Sequence, residues 1–139
     1  MGCLFCEIIN GKIPCYKVYE DADVFAFLDI NPTMPGHTLV LPKKHCSGLL
    51  DVDVETLSKI MTAAQKITAA IQKALGSSGF NIIQNNGVPA GQVIEHLHFH
   101  IIPRNESDGL KHWPGKPYSG DMAADIANKI QQKLEIGNW

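Results

Sequence analysis

At 139 residues, 45% hydrophobic and 19% charged, the chain has the size and composition of one globular domain, which excludes a disordered or fibrous protein. A formal net charge of −2 argues against a general polyanion-binding surface, so nucleic acid is not an expected partner. No apolar run reaches membrane-spanning length, and Met1 to Lys12 carry both signs of charge without a signal-type core. A reduced, cytoplasmic setting is therefore expected, with no membrane partner.

In chain order, Lys17 to Glu20 and Val24 to Leu28 read as two strands around an Asp21-Ala22-Asp23 turn, and Thr38 to Leu41 as a third. The spacing of Leu57, Ile60, Met61, Ala64, Ile67, Ile71 and Leu75 predicts one long helix over about 54–75, with Asp53 as N-cap and Gly76 at C′. Phe80 to Gln84 forms a fourth strand. Leu97 to Ile102 forms a fifth, with Pro103 expected to end its ladder. A last helix over about 121–134 is expected to bury Met122, Ile126, Ile130 and Leu134. With no internal repeat or linker, this order predicts a single α+β domain over 1–139. It has a mostly antiparallel five-stranded meander, one long helix and a C-terminal helical extension.

Two constellations carry chemistry. His96-Leu97-His98-Phe99-His100 places three imidazoles on one face of a strand, about 6.6 Å apart, with Leu97, Phe99 and Ile101 on the other. Three readings of that row compete at this point. In-line ligands on one flat strand converge poorly on a tetrahedral ion, three satisfied histidines would be structural, and a nucleophilic middle ring would need phosphate-binding neighbours. Cys3-Leu4-Phe5-Cys6 is the second constellation, and CxxC by itself fits a zinc site, a redox pair or two buried thiols. Cys15 and Cys46 have no evident partners and are expected as free thiols.

His96-x-His98-x-His100 followed by two apolar residues resembles the signature of the histidine triad family of nucleotide hydrolases and transferases. Leu4-Phe5-Cys6-Glu7-Ile8-Ile9, Phe27-Leu28-Asp29-Ile30-Asn31-Pro32, Gly36-His37, Pro42-Lys43-Lys44-His45, Asn85-Asn86-Gly87 and Ala90-Gly91-Gln92 match in order, so the likeness covers nearly the whole chain. It is strongest to the Hint-like branch, the small purine nucleoside phosphoramidases and their bacterial and archaeal relatives. The resemblance implies a homodimer, a purine nucleotide substrate or product, and catalytic roles for His98, His100, His96 and His37. His98 would form a nucleotidyl-histidine, and His100 and the backbone around Gly91 and Gln92 would hold the α-phosphate. Asp29 would accept from the ribose hydroxyls, Leu4, Phe5, Ile8, Phe27 and Ile30 would wall the purine slot, and Asn85 would stand at the phosphate and ribose end.

Physical chemistry supports those roles, since neutral imidazole is a good nucleophile and a protonated imidazole with backbone N–H groups at Gly91 could hold the equatorial oxygens. No catalytic metal is then required. The implied activity is hydrolysis of nucleoside 5′-phosphoramidates. The alternatives are a dinucleoside polyphosphate hydrolase of the Fhit-like type, or a nucleotide-binding regulatory or scaffold protein with incidental turnover.

Bacterial and archaeal members also imply a structural zinc on Cys3, Cys6, His45 and His96, all present here. Two departures stand out. Val93 replaces a serine that animal Hint proteins place after Gly-Gln, so a donor to the leaving group is missing. His112-Trp113-Pro114-Gly115 resembles the Hint C-terminal segment whose Trp reaches across the dimer, yet about twenty residues follow it here.

Overall fold

The computed structural model describes residues 2–136, which divide into two compact units at the Asp108–Gly109 junction. The first unit contains α1 (Leu4–Ile9), β1 (Lys17–Glu20), β2 (Val24–Leu28), β3 (Thr38–Pro42), α2 (Val54–Leu75), β4 (Gly79–Gln84) and β5 (Phe99–Arg104), with a 3₁₀ turn at Val88–Ala90. Its five strands form one antiparallel sheet in the order β1-β2-β3-β5-β4. The expected meander holds only through β3, because β5 inserts between β3 and β4 and leaves β4 at the edge.

β2 and β3 are buried on both faces, which their continuous apolar runs VFAFL and TLVLP require. Val24, Ala26, Val40, Leu97, Phe99 and Ile101 pack against Ile60, Ala64 and Ile67 of α2. On the opposite face Phe25, Phe27, Leu39 and Leu41 pack against Phe5 and Ile8 of α1. The sheet is thus sandwiched between a long helix and a short one, and the histidines lie on the short helix's side.

α2 forms over the expected span because its ends are chemically marked. Asp53 Oδ1 accepts from the Thr56 N–H at 2.8 Å, and Gly76 takes the left-handed conformation at φ 67° while donating to Gln72 O. Met61 and Leu75, assigned to the buried face by spacing, are 42% and 54% exposed, whereas Ala63 is buried. Met61 lies between the buried Ile60 and Ala63 and so stands at the lateral margin of the stripe, while Leu75 is the last residue of the helix.

β5 departs from its expected span at both ends. His96, Leu97 and His98 precede the ladder, and Pro103 lies within it, opposite Phe80. Pro103 is tolerated because β3 pairs with β5 only from Phe99 to Ile101, so its missing N–H faces no partner strand.

The second unit contains α3, Met122–Ile136. The expectation that its apolar stripe is buried is overturned: Met122, Ile126, Ile130 and Leu134 are 48%, 36%, 56% and 55% exposed. Spacing decides which residues share a helix face, and what covers that face is a separate, tertiary matter.

Candidate active site and metal centre

The three triad imidazoles do not form an even row. His98 and His100 are neighbours, with ring centroids 4.9 Å apart, while the backbone bends at His96 and sends its ring 5.0 Å from that of His45. The bend is held by His96 N–H donating to Ile94 O and Leu97 N–H donating to Cys46 O.

Hydrogen bonds assign each ring its tautomer. His98 Nδ1 lies 2.6 Å from His96 O, and a carbonyl only accepts, so Nδ1 carries the proton and Nε2 keeps a free lone pair. The Thr33 N–H donates to His37 Nδ1 at 3.1 Å, which forces the His37 proton onto Nε2. That proton is donated 2.8 Å to His100 Nδ1, which leaves His100 with its own N–H on Nε2. One part-buried relay of backbone N–H, His37 and His100 therefore presents a donor beside the His98 lone pair.

Burial depresses the basicity of these rings. His98 and His37 are held below the ordinary imidazole value mainly by desolvation. His100 is lowered to about 4, first by desolvation and then by the neighbouring His98 and His37. The donor that His100 offers near neutral pH is thus a neutral imidazole N–H, which corrects the expectation of a protonated ring. His37 Nε2 lies 3.7 Å from Asp29 Oδ2, and a neutral ring makes no ion pair there. Asp29 instead accepts from the Asn31 N–H at 2.8 Å through Oδ1.

His98 and His100 open into a cleft of about 430 Å³. Its wall is largely apolar, with Phe5 edge-on to His98 at 5.0 Å and to Phe27 at 5.5 Å between centroids. Such a slot, with carboxylate and imidazole groups at one end, suits a flat apolar ring joined to a polar, phosphate-bearing tail.

A second cluster joins Cys3, Cys6, His45 and His96, whose ligand atoms lie within 4.8 Å of one another. His96 Nε2–H donates to Pro42 O at 2.8 Å, so its Nδ1 turns a lone pair on the cluster. That Nδ1 lies 3.2 Å from His45 Nδ1 and 3.4 and 3.6 Å from the sulfurs of Cys3 and Cys6, with Cys6 Sγ 3.5 Å from His45 Nδ1. A tetrahedral zinc with ordinary bond lengths needs N–N edges of about 3.3 Å and N–S edges of about 3.6 Å. The donor set fits zinc, and it fills the shell.

Asp29, His37 and His100 also offer three ligand atoms within that span, but they do not fit a metal. A metal on His37 Nε2 would drive the ring proton to Nδ1, directly against the Thr33 N–H.

A family model, the HIT domain, matches residues 10–107. The chain belongs to the histidine triad family. The adenosine 5′-monophosphoramidase of Schizosaccharomyces pombe is 42% identical over 137 residues, spanning 97% of this chain and 100% of that protein. The crystal structure of a HIT-family member from Bacillus subtilis is similar with a TM-score of 0.89 at 37% identity, covering 100% of both chains. A zinc-bound histidine triad family protein from Mycobacterium smegmatis has a TM-score of 0.76 at 33% identity, covering 97% of this chain and 96% of that one.

In this histidine triad chain, Leu4, Phe5, Ile8, Phe27, Asp29, Ile30, Gly91, His98 and His100 all line the cleft. His37 stands behind His100, and His96 turns away to the cysteines. Gln92 is not in the cleft. Its side chain accepts from Gly87 N–H and donates to the carbonyls of Ser47 and Ile94, bracing the loop. Asn85 lies beside Gly91, outside the lining. The Gly91 N–H already donates to Val88 O, so it is not the free phosphate donor expected of it.

Ile13, Pro14, Cys15, Leu39 and Ile94 also line the cleft and were not singled out from the sequence. Leu39 was readable as an inward position of β3. The Ile13-Pro14-Cys15 loop carried only its own hydrophobicity as a signal, and the Thr33 N–H, being backbone, carried none.

Proposed function

We propose that this chain hydrolyses purine nucleoside 5′-phosphoramidates of the AMP–amine type through a covalent nucleotidyl-histidine on His98. The observation that carries the reading is the oriented His98 ring, its Nδ1–H bound to His96 O and its Nε2 free at the mouth of an apolar slot. The similarity to a protein named adenosine 5′-monophosphoramidase supports the substrate class.

In the first step the His98 Nε2 lone pair attacks the α-phosphorus and the P–N bond breaks. The amine leaves with the electron pair and takes a proton from solvent, since Val93 has none to give. His100 Nε2–H donates to a non-bridging phosphate oxygen, and its proton is kept in place by the relay from Thr33 and His37. In the second step water attacks the same phosphorus, the P–His98 bond breaks, and nucleoside monophosphate departs. Asp29 accepts from the ribose hydroxyls, and the purine lies between Phe5 and the apolar wall.

Cys3, Cys6, His45 and His96 are proposed to hold a zinc ion that takes no part in the chemical step. We further propose a homodimer, supported by the open edge of β4 and its exposed Phe80 and Ile83, and a cytoplasmic location. Among the described residues no helix is long and apolar enough to cross a membrane.

Turnover of an AMP–amine conjugate and of a diadenosine polyphosphate, by wild type and His98→Ala, tests the reaction. The expected outcome is preference for the phosphoramidate, a covalent nucleotidyl adduct by mass spectrometry, and a loss of at least about 10³-fold in His98→Ala. Full turnover by the alanine variant would sink the nucleophile assignment.

A further inference from the structure

The metal cluster and the nucleotide cleft share one element. α1 is only six residues long, and Cys3 at its N-cap makes no side-chain capping bond. A helix this short has little stability of its own and depends on what anchors it. Cys3 and Cys6 tie one side of it to His45, after β3, and to His96, before β5. Its other side supplies Phe5 and Ile8 to the cleft wall, and Leu4 stands between the two sides. A second cavity of about 570 Å³, lined by Cys3, Cys6 and His45, shares Leu4, Val93 and Ile94 with the cleft, so the two sites are separated by single side chains.

His96 differs from the cysteines in one respect. Its ring is held by Pro42 O through Nε2–H, and its backbone by Ile94 O, independently of any metal. The carbonyl that orients His98 therefore stays in place when the cluster is unloaded, whereas α1 loses its crosslink.

We propose that Cys3, Cys6, His45 and His96 are positioning residues for nucleotide binding. Metal held by them fixes α1 as a wall of the cleft, so metal and nucleotide each strengthen the other's binding while the chemical step is left largely unchanged. The proposal rests on the zinc and nucleotide readings given above. By linkage, the factor by which zinc tightens the nucleotide must equal the factor by which the nucleotide tightens zinc.

The test uses the full chain, zinc and AMP. Protein is depleted by a chelator under reducing conditions, its metal content measured by mass spectrometry and its fold checked by circular dichroism. AMP binding by calorimetry should weaken about tenfold on depletion and recover with one equivalent of zinc. Zinc affinity of the wild type against a competing chelator should rise by the same factor at saturating AMP. A depleted protein that unfolds as a whole overturns the proposal, because zinc and AMP are then coupled through global folding and not through α1. With phosphoramidate substrate, KM should rise by that factor while kcat stays within about threefold.

Equal AMP affinity in folded loaded and depleted protein, or a fall in kcat at constant KM, overturns the proposal. Failure to retain zinc overturns it through the metal reading, and failure of loaded protein to bind AMP overturns it through the nucleotide reading. Each of these results is distinct from the others.

Discussion

Each histidine in the site owes its role to the hydrogen bond on its far nitrogen. His98 is poised by a carbonyl, His100 by His37, and His37 by a backbone N–H. Imidazole has two nitrogens and, when neutral, one proton, so a partner at one end dictates what the other end can do. Replacing His37 with alanine should free His100 to swap tautomers and lower kcat/KM about tenfold, roughly the worth of one such hydrogen bond. Imidazole ¹⁵N shifts would show His100 losing its single tautomer, and an unchanged spectrum would refute the relay. Val93 lines the same cleft and is 88% exposed, an apolar side chain where the proposed reaction would place the leaving amine. Val93→Ser should restore a donor to the departing amine and raise turnover of poorly activated phosphoramidates by about three- to tenfold. Substrates with good leaving groups should respond less, which a series of aryl amines would reveal.

At the scale of elements, α2 is the clearest case of local chemistry agreeing with packing. Asp53, the apolar spacing and Gly76 all mark the same 22 residues. Ile60 is fully buried at the centre of its contact with the sheet. Ile60→Ala should cost about 2–5 kcal/mol in denaturant melts, against less than about 1 kcal/mol for the exposed neighbour Met61→Ala. Equal costs would mean that α2 is rotated from the placement described. Gly36 shows the opposite dependence, on the whole fold. It adopts φ 92° just before His37, and a Cβ there would run into Leu75 Cδ1 at the end of α2. The loop that presents His37 thus needs glycine for its left-handed backbone, and Pro103 of β5 and the flexible end of Leu75 leave a Cβ little room beside it.

The whole first unit responds to pH through buried, neutral imidazoles. Desolvation, with His98 and His37 beside it, pushes His100 down from 6.5 to about 4, and desolvation lowers His37 too. Between those values the unfolded chain binds more protons than the folded one, so stability rises with pH across the window and is lost as pH falls from about 6.5 toward about 4. Urea midpoints measured across that interval should decline with acidity, and less steeply in His100→Asn. Parallel declines in the two proteins would remove His100 from the account.

Much of this was legible without coordinates. The strands at 17–20 and 24–28, both ends of α2, and the convergence of Cys3, Cys6, His45 and His96 follow from spacing, capping chemistry and a resemblance spread along the chain. Those features depend on neighbours in sequence or on residue types that admit few partners. The insertion of β5 beside β3, the backbone bend that carries His96, the occupied Gly91 N–H and the exposed stripe of α3 were not legible. Periodicity names the face a side chain occupies, but the groups that meet that face come from distant segments. The triad shows the division: its sequence and its resemblance mark three imidazoles with different expected roles. Only the folded chain, by giving Pro42 O, His96 O and His37 Nε2–H to one ring each, fixes which nitrogen of each ring is left free for the role proposed for it.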